Sequence, residues 1–184
     1  MKEHFQNFIV LAIAYVVSFS LTMSIISPLQ AILLPSVSNS ISLLFLPHGV
    51  RMLAAHYFGW KSIVYLLPPS YLMYALMIQT HGDILPITTP LVSLIAAYLG
   101  MTLIGYLADI SSRDLTNSTW KWLLLAGFLG SIFNGLGIGL LLGNINLPTQ
   151  MLGYAIGDVS GQFALMIGLI YYFKYVRTDD VTNS

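Results

Sequence analysis

The chain of 184 residues contains no cysteine. That excludes disulfides, thiolate nucleophiles and the cysteine-based zinc patterns, and it leaves the redox compartment unreadable. Charge is scarce too: only 8% of residues are Asp, Glu, Lys or Arg, where a soluble domain carries roughly 25%. Seven basic and seven acidic residues cancel to a formal net charge of zero, which provides no basic surface for nucleic acid. Paired carboxylates, metal-ligand spacings and recognisable Ser or Cys nucleophile motifs are all missing, so neither an enzyme nor a resident cofactor or metal is expected.

What remains is hydrophobicity. With 57% hydrophobic residues and a mean hydropathy of +0.80, the chain reads as an all-α protein whose main partner is the lipid bilayer. Apolar periodicity and proline or glycine breaks predict six transmembrane helices, at about residues 5–26, 40–58, 62–79, 86–107, 120–142 and 149–175, in one domain. The first run is about 20 residues long and lacks a small-residue cleavage site, so it is expected to stay on as a spanning helix. Ser27-Pro28 is expected to end it, and a short outer-leaflet segment is placed at 29–37. Pro68-Pro69 should kink the third helix. Lys2, Lys61, Arg113, Lys121, Lys174 and Arg177 all fall at the ends of even-numbered crossings or at the N-terminus, which puts both termini in the cytoplasm by the positive-inside rule.

The chain is organised around residues 43–61, LLFLPHGVRMLAAHYFGWK, where two histidines and an arginine sit in apolar sequence. As a helix starting after Pro47, this stretch puts His48, Arg51 and His56 on one face with Met52 and Ala55, and Val50, Leu53, Ala54 and Tyr57 on the other. Pro47 and Gly49 should break the second helix and expose a fresh N-terminus with free donors. Two readings stand: the broken end faces a polar or anionic ligand, or the three side chains reach for the headgroups.

The sixth helix carries Gly153, Gly157 and Gly161, a flat stripe for close packing, with the glycine-rich fifth helix and its Asn134 as the natural partner. Beside the stripe Tyr154, Asp158 and Gln162 recur at intervals of four and form a polar ridge. An ionisable residue inside a span is functional by default, with a structural acid as the plainer alternative. Counting residues inward from the outer surface places Arg51 about 16 Å deep and Asp158 about 13 Å deep, which predicts that the two pair or jointly hold a ligand. The candidate ligand-binding residues are therefore His48, Arg51, His56, Asn134, Tyr154, Asp158 and Gln162.

Two segments, LFLPHGVRMLAAHYFGW at 44–60 and YAIGDVSGQFALMIGLIYYF at 154–173, resemble the signature regions of MASE1-type bacterial integral membrane sensor domains. Pro47, His48, Gly49, Gly59, Trp60 and Lys61 fall on the first pattern; Gly157, Asp158 and Gly161 fall on the second. The resemblance implies a sensory or small-ligand-binding module in a bacterial inner membrane. MASE1 domains are usually longer and fused to a kinase or cyclic-dinucleotide output domain, whereas this sequence ends after its sixth helix, so a separate signalling partner is implied. The alternative is the substrate-binding subunit of an energy-coupling-factor transporter, which the span count resembles, although the Ala-x-x-x-Ala docking motif of that family is absent from the first helix. A partner of either kind is expected on the cytoplasmic loop 109–119 and Lys61.

Overall fold

The computed structural model describes residues 2–35, 42–81, 86–108, 119–143 and 147–182, and every regular element among them is helical. The elements are α1 (Lys2–Leu21), a π-helical segment (Thr22–Ile26), α2 (Ser27–Leu33), α3 (Leu46–Phe58), α4 (Lys61–His81), α5 (Thr89–Leu107), α6 (Thr119–Leu142) and α7 (Leu147–Thr182). Five stretches among the described residues are long and apolar enough to cross a membrane: Lys2–Leu33, Lys61–Gln79, Thr89–Leu107, Trp120–Leu142 and Met151–Tyr172. Their outer faces carry large apolar side chains such as Val10, Ile32, Leu140 and Ile170. So much apolar surface is incompatible with water on all sides and matches a hydrocarbon environment. The chain is a multi-pass, membrane-embedded helical protein.

The first helix does not end at Ser27-Pro28. It widens into the π segment, where the Ser27 N–H reaches back five residues to the Thr22 carbonyl, and continues as α2 to Leu33. The wide turn moves the preceding carbonyls away from the Pro28 ring, which in a regular helix would clash with the carbonyl of Ser24. Residues 29–33 of the expected outer-leaflet piece at 29–37 thus belong to this rod; its residues 36 and 37 lie outside the described residues. Pro68 and Pro69 sit within α4 without ending it.

Helix α3 is the exception in length and position. Its 13 residues rise about 20 Å, short of the roughly 30 Å hydrocarbon thickness. Pro47 occupies its first turn, where a missing N–H costs nothing. The break expected inside a longer helix is therefore the start of this one, preceded by non-helical residues 42–45. Gly59, at φ +57°, turns the chain from α3 into α4.

This short helix is the axis of the bundle: it packs against α1, α4, α5, α6 and α7, and eight of its residues are buried. Met52 and Ala55 join Ala97, Met101, Ile104, Leu123, Ala126 and Met166 in one apolar cluster. Val50 and Ala54 join Tyr15, Phe19, Leu66, Met73 and Leu94 in a second. Both faces of α3 are therefore packed, with His48 and Arg51 buried and His56, near the end of the helix, half-buried.

Candidate functional site

Non-helical backbone inside a membrane protein must find partners in the protein itself. Residues 42–45 do so through three elements. The Leu43 N–H donates to Gln30 Oε1 at 2.7 Å, Ser160 Oγ donates to the Leu43 carbonyl, and the Phe45 N–H donates to the Gly157 carbonyl at 2.8 Å. The first-turn N–H of Leu46 donates to Thr22 Oγ1 at 3.3 Å, and that hydroxyl donates to the Ser18 carbonyl. The π segment thus caps α3. The glycine stripe on α7 makes this approach sterically feasible, because a Cβ at Gly157 would strike the Ser42 carbonyl and one at Gly161 the backbone of Phe45. The stripe was expected to receive the fifth helix; its Gly157 and Gly161 instead receive the non-helical residues 42–45. The fifth helix, α6, meets α7 through glycines of its own, Gly127 against Gln162 and Gly135 against Met151.

Seated this way, the first turn of α3 delivers His48 to α6 and α7. Its Nδ1 lies 3.4 Å from Asp158 Oδ2, and its Nε2 lies 3.1 Å from the Gly127 carbonyl. Ser131 Oγ donates to the same Asp158 oxygen at 2.7 Å. Gln162 Nε2 donates to the Leu123 carbonyl at 2.8 Å, while its Oε1 presses on Gly127 and has no hydrogen-bond partner. Side chains this deep, with His48 at 1%, Asp158 at 4% and Gln162 at 0% exposure, bear the full cost of desolvation unless they are paired.

Arg51, three residues on, turns the other way. Its Nη2 donates to the Tyr15 hydroxyl at 2.8 Å, and its guanidinium lies 5.6 Å and 5.4 Å from the ring centres of Tyr15 and Phe45. Aromatic faces stabilise a desolvated cation, but Nε remains buried without a partner. The predicted Arg51–Asp158 pair is therefore replaced by two contacts, His48 with Asp158 and Arg51 with Tyr15. The inference from depth ignored direction: the 60° between His48 and Arg51 sends one to α7 and the other to α1.

The remaining candidates separate. Asn134 Oδ1 accepts from Ser93 Oγ at 2.8 Å, an interhelical bond between α6 and α5. His56 is half-buried with its ring against Tyr57, about 12 Å further along α3 than His48. Tyr154 is half-buried one turn before Asp158. Tyr15, Thr22 and Ser131 escaped the sequence reading. Tyr15, Ser18 and Thr22 follow helical spacing on one face, and Ser131 stands one turn after Gly127; those registers were the available signals.

No family model, characterised protein or solved structure matches this chain. Nothing in those comparisons identifies a MASE1 domain, and the site rests on its own geometry.

Proposed function

We propose that the chain is a sensory module of a bacterial inner membrane that holds a small polar or anionic ligand in the buried polar core around α3, where α1, α6 and α7 meet it. The observation that carries this reading is the unsatisfied polarity of that core. Arg51 Nε and Gln162 Oε1 are buried without partners within a turn or two of the His48–Asp158 contact, and each unpaired group costs about 1–3 kcal/mol. A bundle selected for stability alone would lose such groups. Ser131 donates to Asp158 and not to His48, so His48 does not activate it as a nucleophile, which favours binding over hydrolysis.

In this reading α3 and its lead-in complete a sixth crossing, both termini lie in the cytoplasm, and occupancy shifts α3 on the α7 stripe. A separate protein then reads that shift at the cytoplasmic face. Of the loop expected to dock it, 109–119, residues 109–118 lie outside the described residues, and Thr119 begins α6. The likeness of residues 44–60 and 154–173 to MASE1 signatures supports sensing over transport.

Untargeted mass spectrometry of small molecules retained by the detergent-purified protein tests the reading. A polar compound enriched with the native chain and lost from Arg51→Met, but kept by His56→Asn, is the expected result. Equal retention by all three proteins would refute it. A neighbouring gene for a kinase or cyclase would support sensing, and neighbouring transport ATPase genes would favour the transporter subunit.

A further inference from the structure

The Gly127 carbonyl and an ionised Asp158 can only accept, whereas a neutral imidazole has a single N–H for its two nitrogens. With that proton on Nδ1, the Nε2 lone pair faces the Gly127 carbonyl at 3.1 Å; with it on Nε2, the carbonyl is satisfied. Nδ1 then carries a lone pair, and it faces Asp158 Oδ2 at 3.4 Å. A lone pair and an ionised carboxylate repel each other, most strongly where water is excluded. The contact becomes attractive once one proton lies between the two atoms, held by Nδ1 as an imidazolium or by Oδ2 as a carboxylic acid. We propose that His48 and Asp158 form a proton-binding site inside the bundle, with one proton held between Nδ1 and Oδ2.

The neighbouring groups agree with this count. Ser131 gives Oδ2 one hydroxyl donor, few for a carboxylate with about four lone-pair sites. Arg51, the nearest cation on α3, directs its hydrogen bond to Tyr15 of α1 and lies against two aromatic rings, so it gives Asp158 no hydrogen bond. On α7, Gln162 gives its N–H to Leu123. From α5, Ser93 is bonded to Asn134; from α4, Tyr65 lies 2.5 Å from His4. Among these described residues none bridges His48 Nδ1 and Asp158 Oδ2, and a proton between them makes their contact attractive. Because His48 rides on the first turn of α3, any movement of α3 off the α7 stripe separates the two acceptors and leaves the proton on one of them. This site rests on the geometry of the core and stands whether or not the core takes a ligand.

Solid-state NMR of the full chain in lipid bilayers at neutral pH counts the proton directly, with aspartate labelled at the carboxyl carbon and histidine at both ring nitrogens. Asp158 is the one aspartate in the five apolar spans, so a protonated aspartate signal belongs to it. His48 is assigned in a His4→Gln, His56→Gln, His81→Gln variant, where it is the remaining imidazole. The expected spectrum shows one shared proton, either an imidazolium with an ionised Asp158 or an Nε2–H neutral ring with a protonated Asp158. Asp158→Asn should abolish either signature; should that variant fail to fold, the native spectrum decides alone. A neutral ring beside an ionised carboxylate, or an imidazolium beside a carboxylic acid, would overturn the proposal.

Discussion

Two glycine-lined contacts in this bundle look alike in sequence and differ in what they hold. Where α5 crosses α6, a Cβ on Gly100 would fall 2.6 Å from the Gly130 nitrogen, and both partners are helices whose backbone groups are already satisfied. On α7, Gly157 and Gly161 receive residues 42–45, whose backbone groups depend on Gln30, Ser160 and the Gly157 carbonyl. Small residues permit close approach in both places, but only the second contact forces side chains from separate elements to substitute for secondary structure. It is also the contact that seats His48 beside Asp158. A stripe of glycines therefore reports proximity and not the nature of the neighbour, and the polar residues around it distinguish the cases.

The largest effect should come from the polar end of the comparison. Asp158→Leu removes one side of the buried pair and leaves His48 Nδ1 and Ser131 Oγ facing hydrocarbon, for an expected loss of about 3–5 kcal/mol. His48→Leu with Asp158→Leu should lose less than the sum of the single changes, because neither variant group is left uncompensated. Unfolding in mixed micelles measures all three. Arg51→Met with Asp158→Leu should instead be closer to additive than that combination, since these residues do not hydrogen-bond to each other.

Next in size is the comparison of the two glycine contacts. Gly161→Ala places a methyl inside the backbone of Phe45, which is anchored through several hydrogen bonds, and should cost about 3 kcal/mol. Gly100→Ala presses one rod on another, and the two can separate as bodies for about 1–2 kcal/mol. The sharper discrimination is spectroscopic: Gly161→Ala should change the ring-nitrogen signals of His48, and Gly100→Ala should leave them in place. Equal disturbance of His48 by both would erase the distinction.

A smaller effect is expected at Tyr15→Phe, which keeps the ring beside Arg51 and removes the hydroxyl that accepts from Nη2. The expected loss is about 1.5 kcal/mol, the low end for a hydrogen bond to a charged group. The same micelle titration reads it, and no loss would mean that the ring alone holds the guanidinium.

Much of this was legible in the sequence. Residues 43–61 stood out as the organising stretch, and α3 lies at the axis; Asp158 and Gln162 stood out as a ridge, and both are buried in the core. Pro47 marked a discontinuity, though as a helix start. Pro28 misled, because a helix stop and a π-bulged continuation share the same local pattern, and only the tertiary demand for Thr22 at the α3 terminus separates them. The Arg51–Asp158 pairing misled because depth along two helices says nothing about which neighbour each side chain faces. Backbone hydrogen bonds of an irregular segment leave no periodic signal, so the lead-in at 42–45 could not be read from residue types.

The central claim is that α3 sits on α7 and carries His48 to Asp158. The absence of native cysteine makes a disulfide test clean. A Cβ at Gly49 lies 3.2 Å from Leu165 Cβ, and one at Gly135 lies 3.5 Å from Met151 Cβ, both near the spacing of bridged pairs. In native membranes under mild oxidation, Gly49→Cys with Leu165→Cys should cross-link as completely as the α6–α7 control, Gly135→Cys with Met151→Cys. A control that bridges while the α3–α7 pair stays reduced would contradict the account.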